Sequence, residues 1–173
     1  KKLKFLNFLC NIYLTVIRGT PVVVQLLIIY FVIFSSVRID KSFAAILAFG
    51  INSGAYQAEI FRSGINSVPK GQMEAGRSLG FSYPQTMINI IMPQVIKNTL
   101  PTLANEFIVL MKETSVASYI ALDDLTKAGD VIRSKTYSAM MPFLAVALLY
   151  LIMVMLFSYL VKLLERRLAR SGR

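Results

Sequence analysis

The sequence predicts an all-α protein that crosses a membrane several times. Of its 173 residues, 55% are hydrophobic and only 16% are charged, a balance that a single water-soluble core of this size could hardly bury. The apolar residues form long blocks, and most of the basic residues lie between those blocks. Composition, block length and charge placement therefore all favour a lipid environment.

Four blocks are candidates for membrane-spanning helices: residues 19–37, 42–58, 99–115 and 136–161. The first and the last hold 19 and 26 residues without a charge, and about 20 apolar residues cross the hydrocarbon core. The second holds 17 uncharged residues and can span if it tilts. The third is interrupted by Glu106 and Lys112. We predict about four spans.

The chain opens with Lys1, and no complete span precedes Gly19. We therefore expect that an upstream first helix belongs to a longer product. No linker rich in Pro, Gly or Ser and no internal repeat divides residues 1–173, which predicts a single domain.

Composition argues against several classes of function. The chain has no His and one cysteine, Cys10, which excludes a Cys/His metal cluster, an internal disulfide and His-dependent proton transfer. We predict no catalytic residues, no metal ligands and no bound cofactor. The net charge of +10 could suggest nucleic acid, but the basic residues are scattered rather than gathered on one helix with aromatic residues, so no nucleic-acid partner is predicted.

The basic residues predict the topology. Four precede the first block, four lie between the second and third, and five follow the last, whereas the two intervening loops hold only five. By the positive-inside rule, both ends of the sequence and the central loop are cytoplasmic.

Local signals mark helix starts and distortions. Thr20 before Pro21 is typical of an N-cap followed by proline at the first helical position, and Ser82 is expected to begin another helix. Pro93 and Pro101 should kink or break the helix that follows.

The central loop predicts a short helix over residues 72–79. Gly71 precedes it and Gly80 ends it, an arrangement suited to a helix that lies across the membrane face. The small residues Ala75 and Gly76 would allow close approach by a partner.

The same loop carries a specific spacing. Its residues are Glu74, Ala75, Gly76, Gly80, Ile90 and Pro93. This pattern resembles the EAA signature of permease subunits in binding-protein-dependent ATP-binding-cassette (ABC) importers. The chain departs from it only by Gly76 for the third small residue and by Met92 for leucine.

Further segments are similar to the branch of those permeases that handles polar amino acids such as histidine, glutamine, glutamate, arginine and opines. They are residues 18–25, 55–62, 67–72, 112–115 and 164–168. The resemblance covers nearly the whole chain.

The resemblance implies a type I ABC importer transmembrane domain with a cytoplasmic coupling helix, in the bacterial cytoplasmic membrane. Two cytosolic ATPase subunits would hold ATP and magnesium, and a second permease subunit, identical or similar, would complete the path. A solute-binding protein would deliver the amino acid from outside. The residues expected to couple to the ATPase are Glu74, Ala75, Gly76, Arg77 and Gly80.

Polar residues at membrane depth are candidates for substrate contacts. They are Asn52 and Gln57 on the second block and Asn105 and Glu106 on the third. Glu106 lies near mid-helix with no Lys or Arg within one turn in the sequence, which favours arginine, lysine or histidine as cargo. A protonated or hydrogen-bonded structural carboxylate is an equal alternative for Glu106, and glutamine, glutamate or cystine are alternative cargoes.

Two further groups of residues lie near the ends of the predicted spans. Lys112, Thr114 and Ser115 could close an outer gate or serve the structure alone, with equal weight. Glu59 and Arg62, three residues apart near the cytoplasmic end, are expected to form a structural ion pair.

Two other classes of function compete with the permease subunit. A self-sufficient secondary carrier should show repeated halves and a charged relay, and a membrane enzyme should show a nucleophile with a base. Neither pattern is present in the sequence.

Overall fold

The computed structural model describes residues 2–170, with side chains from 3 to 166, and this part of the chain contains helices and no β-strand. The all-α prediction is confirmed. The α-helices are α1 (Lys2–Gly19), α2 (Val22–Ile28), α3 (Lys41–Ser67), α4 (Lys70–Ser78), α5 (Tyr83–Thr86), α6 (Met92–Glu113), α7 (Leu125–Thr136) and α8 (Met140–Arg170). Two π-helical segments, Ile29–Ile33 and Met87–Ile91, and one 3-10 helix, Thr114–Ile120, connect them.

Five of the basic residues on which the topology prediction depends lie, entirely or with their side chains, outside this described part. They are Lys1, Lys2, Arg167, Arg170 and Arg173.

The chain forms two compact units. The first contains Lys1–Tyr56 and Ile108–Phe157, and the second contains Gln57–Phe107 and Ser158–Arg173. The helices α3, α6 and α8 each continue from one unit into the other. The single domain stays a prediction.

The core of the first unit lies where α2 packs against the start of α3. Leu26 is completely buried there, and three alanines of α3, Ala44, Ala45 and Ala48, form the facing surface. Small residues let helix backbones approach closely. Ile120, from the 3-10 helix, closes the same cluster.

The first unit also contains a helix that was not predicted. The residues before Gly19 form α1, and α1 meets α2 and its π-helical extension at a bend of 107°. The predicted cap at this bend is wrong by one position, because Pro21 is the N-cap of α2 rather than its first residue. The Thr20 hydroxyl instead donates back to the Val16 carbonyl at 2.8 Å and so closes α1.

The second unit has a small core beneath α4. Val68, Ile91 and Val95 are buried, and methionines from α4 and from the π-helical segment Met87–Ile91 pack around them. This core fixes the short helix to the start of α6.

The predicted local signals in this region are present except at Pro101. Ser82 does cap α5, with its side chain and that of Gln85 forming a reciprocal capping box. The π-helical segment ends two residues before Pro93, where the ring removes a backbone donor, so the helix is distorted near this proline as predicted. At Pro101 the predicted break is absent, and α6 continues through it.

Among the described residues, only Met140–Arg166 of α8 is by itself long and apolar enough to cross a membrane. The bent pair formed by α1 and α2 would pass the same criterion if it counted as one span. Helices α3 and α6, with 27 and 22 residues, have sufficient length, but polar side chains lower their hydropathy. The count of four spans stays a prediction.

Candidate functional site

The predicted short helix is α4, and it begins two residues earlier than expected, at Lys70. Its end is a complete Schellman motif: Phe81 N–H donates to the Gly76 carbonyl at 3.2 Å, and Gly80 N–H donates to the Arg77 carbonyl at 3.0 Å. Gly80 has φ +87°, a conformation in which any side chain is strained. The glycine of the signature therefore ends the helix sharply.

One face of α4 is turned into its own unit. Gly76 is buried, and a Cβ atom placed on it would lie 2.4 Å from Cγ2 of Thr86 and 3.0 Å from Cδ1 of Ile90. Met73, one turn earlier, packs on the core below. The close approach that Gly76 allows is thus to the next helix of the same chain, which favours a packing role over the predicted contact with a partner.

The opposite face of α4 is exposed. It presents Glu74, Ala75 and Arg77. The side chain of Glu74 is exposed to a partner, and the Ser78 hydroxyl bonds the main-chain carbonyl of Glu74, not its carboxylate, at 3.0 Å. Two residues of the EAA signature, Gly76 and Ile90, therefore pack inside the unit, whereas Glu74 and Ala75 are exposed on α4.

Beside this face lies an apolar group that the sequence reading missed. Leu79 is 76% exposed, and Phe81 and Tyr83 are also exposed. Aromatic and aliphatic residues that stay exposed around a charged helix are typical of a protein interface. The sequence did indicate this group, because three large apolar residues fall within five positions of a loop that is expected to be polar.

Asn52 lies in a buried polar network of the first unit. It is 3% exposed and donates to Oε1 of Gln25 at 3.1 Å. Gln25, 8% exposed, donates through Nε2 to the Ile17 carbonyl at 2.8 Å and to the Thr20 hydroxyl at 2.8 Å. The network joins α3 to the bend between α1 and α2, which favours a structural role for Asn52 over the predicted contact with cargo.

A second contact supports the same bend. The guanidinium of Arg18 lies 5.7 Å from the ring centroid of Tyr56, within the range of a cation–π interaction. The two segments that resemble polar amino-acid permeases, 18–25 and 55–62, therefore meet in the structure.

The other predicted substrate residues belong to the second unit. Gln57 is exposed on α3, Asn105 is exposed on α6, and Glu106 is half-buried on α6. Asn52 belongs to the first unit and is not grouped with them.

The predicted gate residues lie where α6 changes into the 3-10 helix. Lys112 is exposed in the last turn of α6, and Thr114 and Ser115 begin the 3-10 helix. The Thr114 hydroxyl donates to the Met111 carbonyl at 2.8 Å. A 3-10 segment is common at the C-terminus of an α-helix, so it does not favour either role, and the gate role stays a prediction.

The predicted ion pair between Glu59 and Arg62 is confirmed, with Arg62 Nε donating to Glu59 Oε2 at 3.0 Å. The carboxylate of Glu59 also lies at one end of a polar groove of about 570 Å³ in the second unit. Its lining is Glu59, Ile60, Ser63, Gly64, Ser67, Asn98, Thr99 and Thr102. Ile60 and Ser67 lie in the segments 55–62 and 67–72 that were singled out from the sequence, but the other five residues besides Glu59 were not.

The loop expected outside the membrane carries a charged helix, α7. Asp124 caps it by accepting from Lys127 N–H at 2.6 Å. Arg133 hydrogen-bonds Asp130 at 2.8 Å, and this bond holds the pKa of the Asp130 carboxyl below its usual range. The surface of α7 is therefore charged and internally paired.

Residues 1–170 match the family described as the inner membrane component of binding-protein-dependent transport systems. The chain belongs to this family. The resemblance drawn from the EAA spacing is thereby confirmed, and so is the membrane character of the chain.

Curated relatives agree on the class of transporter. The glutamine transport system permease protein GlnP of Escherichia coli K12 is 40% identical over 165 residues, which cover 94% of this chain and 75% of the relative. The arginine transport system permease protein ArtQ of Bacillus subtilis is 37% identical over 163 residues, covering 93% and 74%.

A solved structure confirms the fold. The crystal structure of an amino acid ABC transporter with histidines contains a chain that is 44% identical, with a TM-score of 0.90. The match covers 96% of this chain and 78% of the other. The type I ABC importer fold predicted from the sequence is therefore present.

Proposed function

We propose that this chain is the permease subunit through which an ABC importer moves polar amino acids, with glutamine and the basic amino acids as the leading cargoes. The observation that carries the proposal is α4, a short helix held from below by Gly76 and ended by Gly80, with Glu74 and Arg77 exposed. Relatives named for glutamine and arginine transport support the class of cargo.

The partners follow from the family. Two cytosolic ATPase subunits bind and hydrolyse ATP, and this chain contributes no catalysis. A second permease subunit completes the path, and a solute-binding protein delivers the amino acid. In the topology we propose, the chain crosses the cytoplasmic membrane several times, with α4 and the C-terminus in the cytoplasm.

The exposed face of α4 gives a physical route for coupling. A helix that enters a groove on the ATPase transmits motion if it moves as a rigid body. The Schellman motif and the packing of Gly76 on Thr86 and Ile90 attach α4 firmly to the segment that leads into α6. Leu79 and Phe81 add apolar area at the edge of the same contact.

Two observations bear on which amino acid is transported, and they favour different cargoes. The relatives include one named for glutamine and one named for arginine, whereas the position of Glu106 favours a cation. Basic preference is therefore the narrower proposal within that of a polar amino-acid importer.

The test is ATP-dependent uptake by the reconstituted complex. The permease is purified with its ATPase subunits, placed in proteoliposomes with the binding protein, and supplied with labelled glutamine, arginine or histidine. We expect uptake of at least one of these that requires hydrolysable ATP. Uptake that continues without the ATPase would indicate a secondary carrier instead.

A further inference from the structure

The polar groove of the second unit lies between α3 and α6. The two helices approach closely at its floor, because a Cβ atom on Gly64 would lie only 2.1 Å from Cγ2 of Thr99. Around this contact the lining holds four hydroxyl residues and one amide, together with Ile60 and Glu59. The small size of Gly64 therefore creates a narrow floor with hydroxyl and amide walls.

The groove extends toward the coupling helix. From Glu59 to Ser67 it follows nine residues of α3, whose eight steps of 1.5 Å give about 12 Å. Ser67 is the last residue of α3, and α4 begins three residues later. One end of the groove is thus adjacent to the segment that we propose contacts the ATPase.

The hydrogen-bonding groups of the groove are mutually linked. Asn98 Nδ2 donates to Ser67 Oγ at 3.2 Å, and Ser67 Oγ donates to the Gly64 carbonyl at 2.7 Å. The one carboxylate, Glu59, is paired with Arg62 on the same helix. The groove therefore offers hydroxyl and amide groups around a neutralised ion pair.

Such a lining suits a zwitterion. Ser67 and Thr99 already donate their hydroxyl protons to main-chain carbonyls, so they can only accept from an ammonium group. Ser63 and Thr102 can donate to a carboxylate, and the Asn98 amide can both donate and accept. A volume of about 570 Å³ accommodates a hydrated amino acid. Because the lining has no second charged residue, it has no strong means of distinguishing a basic side chain from a neutral one.

We propose that the groove is a release site for cargo, which holds the α-amino and α-carboxylate groups of an amino acid without selecting its side chain. The proposal rests on the proposed importer function. It adds that the amino acid is held next to the coupling helix, by hydrogen bonds to its α-amino and α-carboxylate groups. Neutral hydrogen bonds are individually weak, and weak binding is what a conducting path requires for exit. Selection between amino acids then belongs elsewhere in the complex.

Cysteine protection tests the proposal. In a Cys10→Ser background, Ser63→Cys places a thiol in the groove, and Ile65→Cys places one on an exposed position of α3 outside the groove. The complex with its ATPase subunits is put into lipid nanodiscs, so that a hydrophilic thiol reagent reaches both membrane faces. We expect arginine and glutamine to slow modification of Ser63→Cys by a similar factor, about two- to tenfold near saturation. We expect neither to slow modification of Ile65→Cys.

Agmatine, which is arginine without its carboxylate, separates the two kinds of recognition. If the groove holds the zwitterionic group, agmatine protects Ser63→Cys much less than arginine does. Equal protection by agmatine, protection by only one of glutamine and arginine, or no protection by either would overturn the proposal.

A milder variant covers the case in which the cysteine changes the fold. Ser63→Ala removes one hydroxyl, and the affinity of the purified complex for glutamine and for arginine should fall by the same factor, about two- to tenfold for one neutral hydrogen bond. A change for one cargo alone would also overturn it. Failure of the parent complex to transport either amino acid would count against the proposed function instead, so the two failures are distinguishable.

Discussion

Gly76 is the residue at which the coupling helix touches the next helix of its own chain. Thr86, which faces it, is completely buried and donates its hydroxyl to the Ser82 carbonyl at 3.1 Å. The methyl group of Thr86 fills the space that a side chain at position 76 would need. The two residues are therefore complementary in size, and substitutions at the two positions should be coupled.

We predict that Gly76→Ala destabilises the protein by about 1–3 kcal/mol, because overpacking displaces Thr86. Thr86→Ser removes the opposing methyl group and keeps the hydroxyl, so the double variant should lose less stability than the sum of the single variants. Gly71→Ala is the matched control in the same helix, since nothing lies within 4 Å of its added Cβ. Thermal unfolding in detergent measures all four, and additive losses would contradict the prediction.

Gln25 has a comparable place in the first unit, since its side chain joins three parts of the chain. Truncating it leaves the Thr20 hydroxyl and the Asn52 amide each without one bond. We predict that Gln25→Leu costs about 1–3 kcal/mol of stability, and that adding Asn52→Leu costs little more, because that partner is then already lost. The same thermal assay measures this. A large change in substrate KM with unchanged stability in Asn52→Leu would restore the original substrate role.

The proposal that basic amino acids are preferred depends on Glu106. Glu106→Gln keeps the shape of the side chain and removes its charge, so uptake of arginine should weaken while assembly and basal ATPase activity persist. One charge-assisted contact contributes roughly 1.5–3 kcal/mol, which corresponds to about ten- to a hundredfold in affinity. Glutamine uptake is the control and should be unchanged or improved. If the variant transports arginine, lysine and histidine as well as the parent does, Glu106 is a structural carboxylate.

The short helix α4 shows what sequence patterns reveal and what they do not. Its existence and its end at Gly80, like the Ser82 cap of the following helix α5, could be predicted because glycine at positive φ and serine before proline are local requirements. The inward direction of Gly76 could not, since it depends on Thr86 and Ile90 in another element. The groove was missed for the same reason: its serines, threonines and Asn98 have no motif in sequence.

The helix α1 was missed for a different reason. Its apolar residues are interrupted by Lys4, Asn7, Asn11 and Arg18, so no long uncharged block marks it. The bend after it depends on Gln25, which bonds across five to eight positions. Blocks of hydropathy indicate where lipid-facing helices lie, but a bend held by a buried side chain becomes visible only in three dimensions.

The exposed face of α4 carries the coupling prediction. Glu74→Lys reverses the charge at an exposed position without touching the packing of Gly76 or Met73, so we expect folding and membrane insertion to persist. Docking to the ATPase, and with it uptake, should fall by tenfold or more if Glu74 contacts basic groups or backbone donors there. Asn66→Lys places the same cationic side chain at an exposed position just before α4, although it changes the charge by one unit instead of two, and should have little effect. Wild-type uptake and wild-type ATPase stimulation in Glu74→Lys would contradict the prediction.

The whole chain is a membrane protein in which much apolar surface is left uncovered within one subunit. Along α8 most of the large aliphatic and aromatic side chains are exposed, as expected of a helix that contacts lipid or a second permease subunit. Helices α3 and α6 carry polar groups on part of their length, which suits helices that face a path rather than lipid alone. The orientation of the chain then decides which of these surfaces meets the ATPase and which meets the binding protein.

We predict that α4 and α7 lie on opposite sides of the membrane. The reason is the charge distribution: basic residues predominate around α4, whereas those of α7 are offset by Asp123, Asp124 and Asp130. In a Cys10→Ser background, Lys70→Cys and Lys127→Cys place single thiols at exposed and half-exposed positions of the two helices. A membrane-impermeant thiol reagent added to intact cells should label Lys127→Cys alone, and added to inverted vesicles it should label Lys70→Cys alone. Labelling of both from the outside would overturn the topology, and with it the assignment of α4 to the cytoplasmic ATPase.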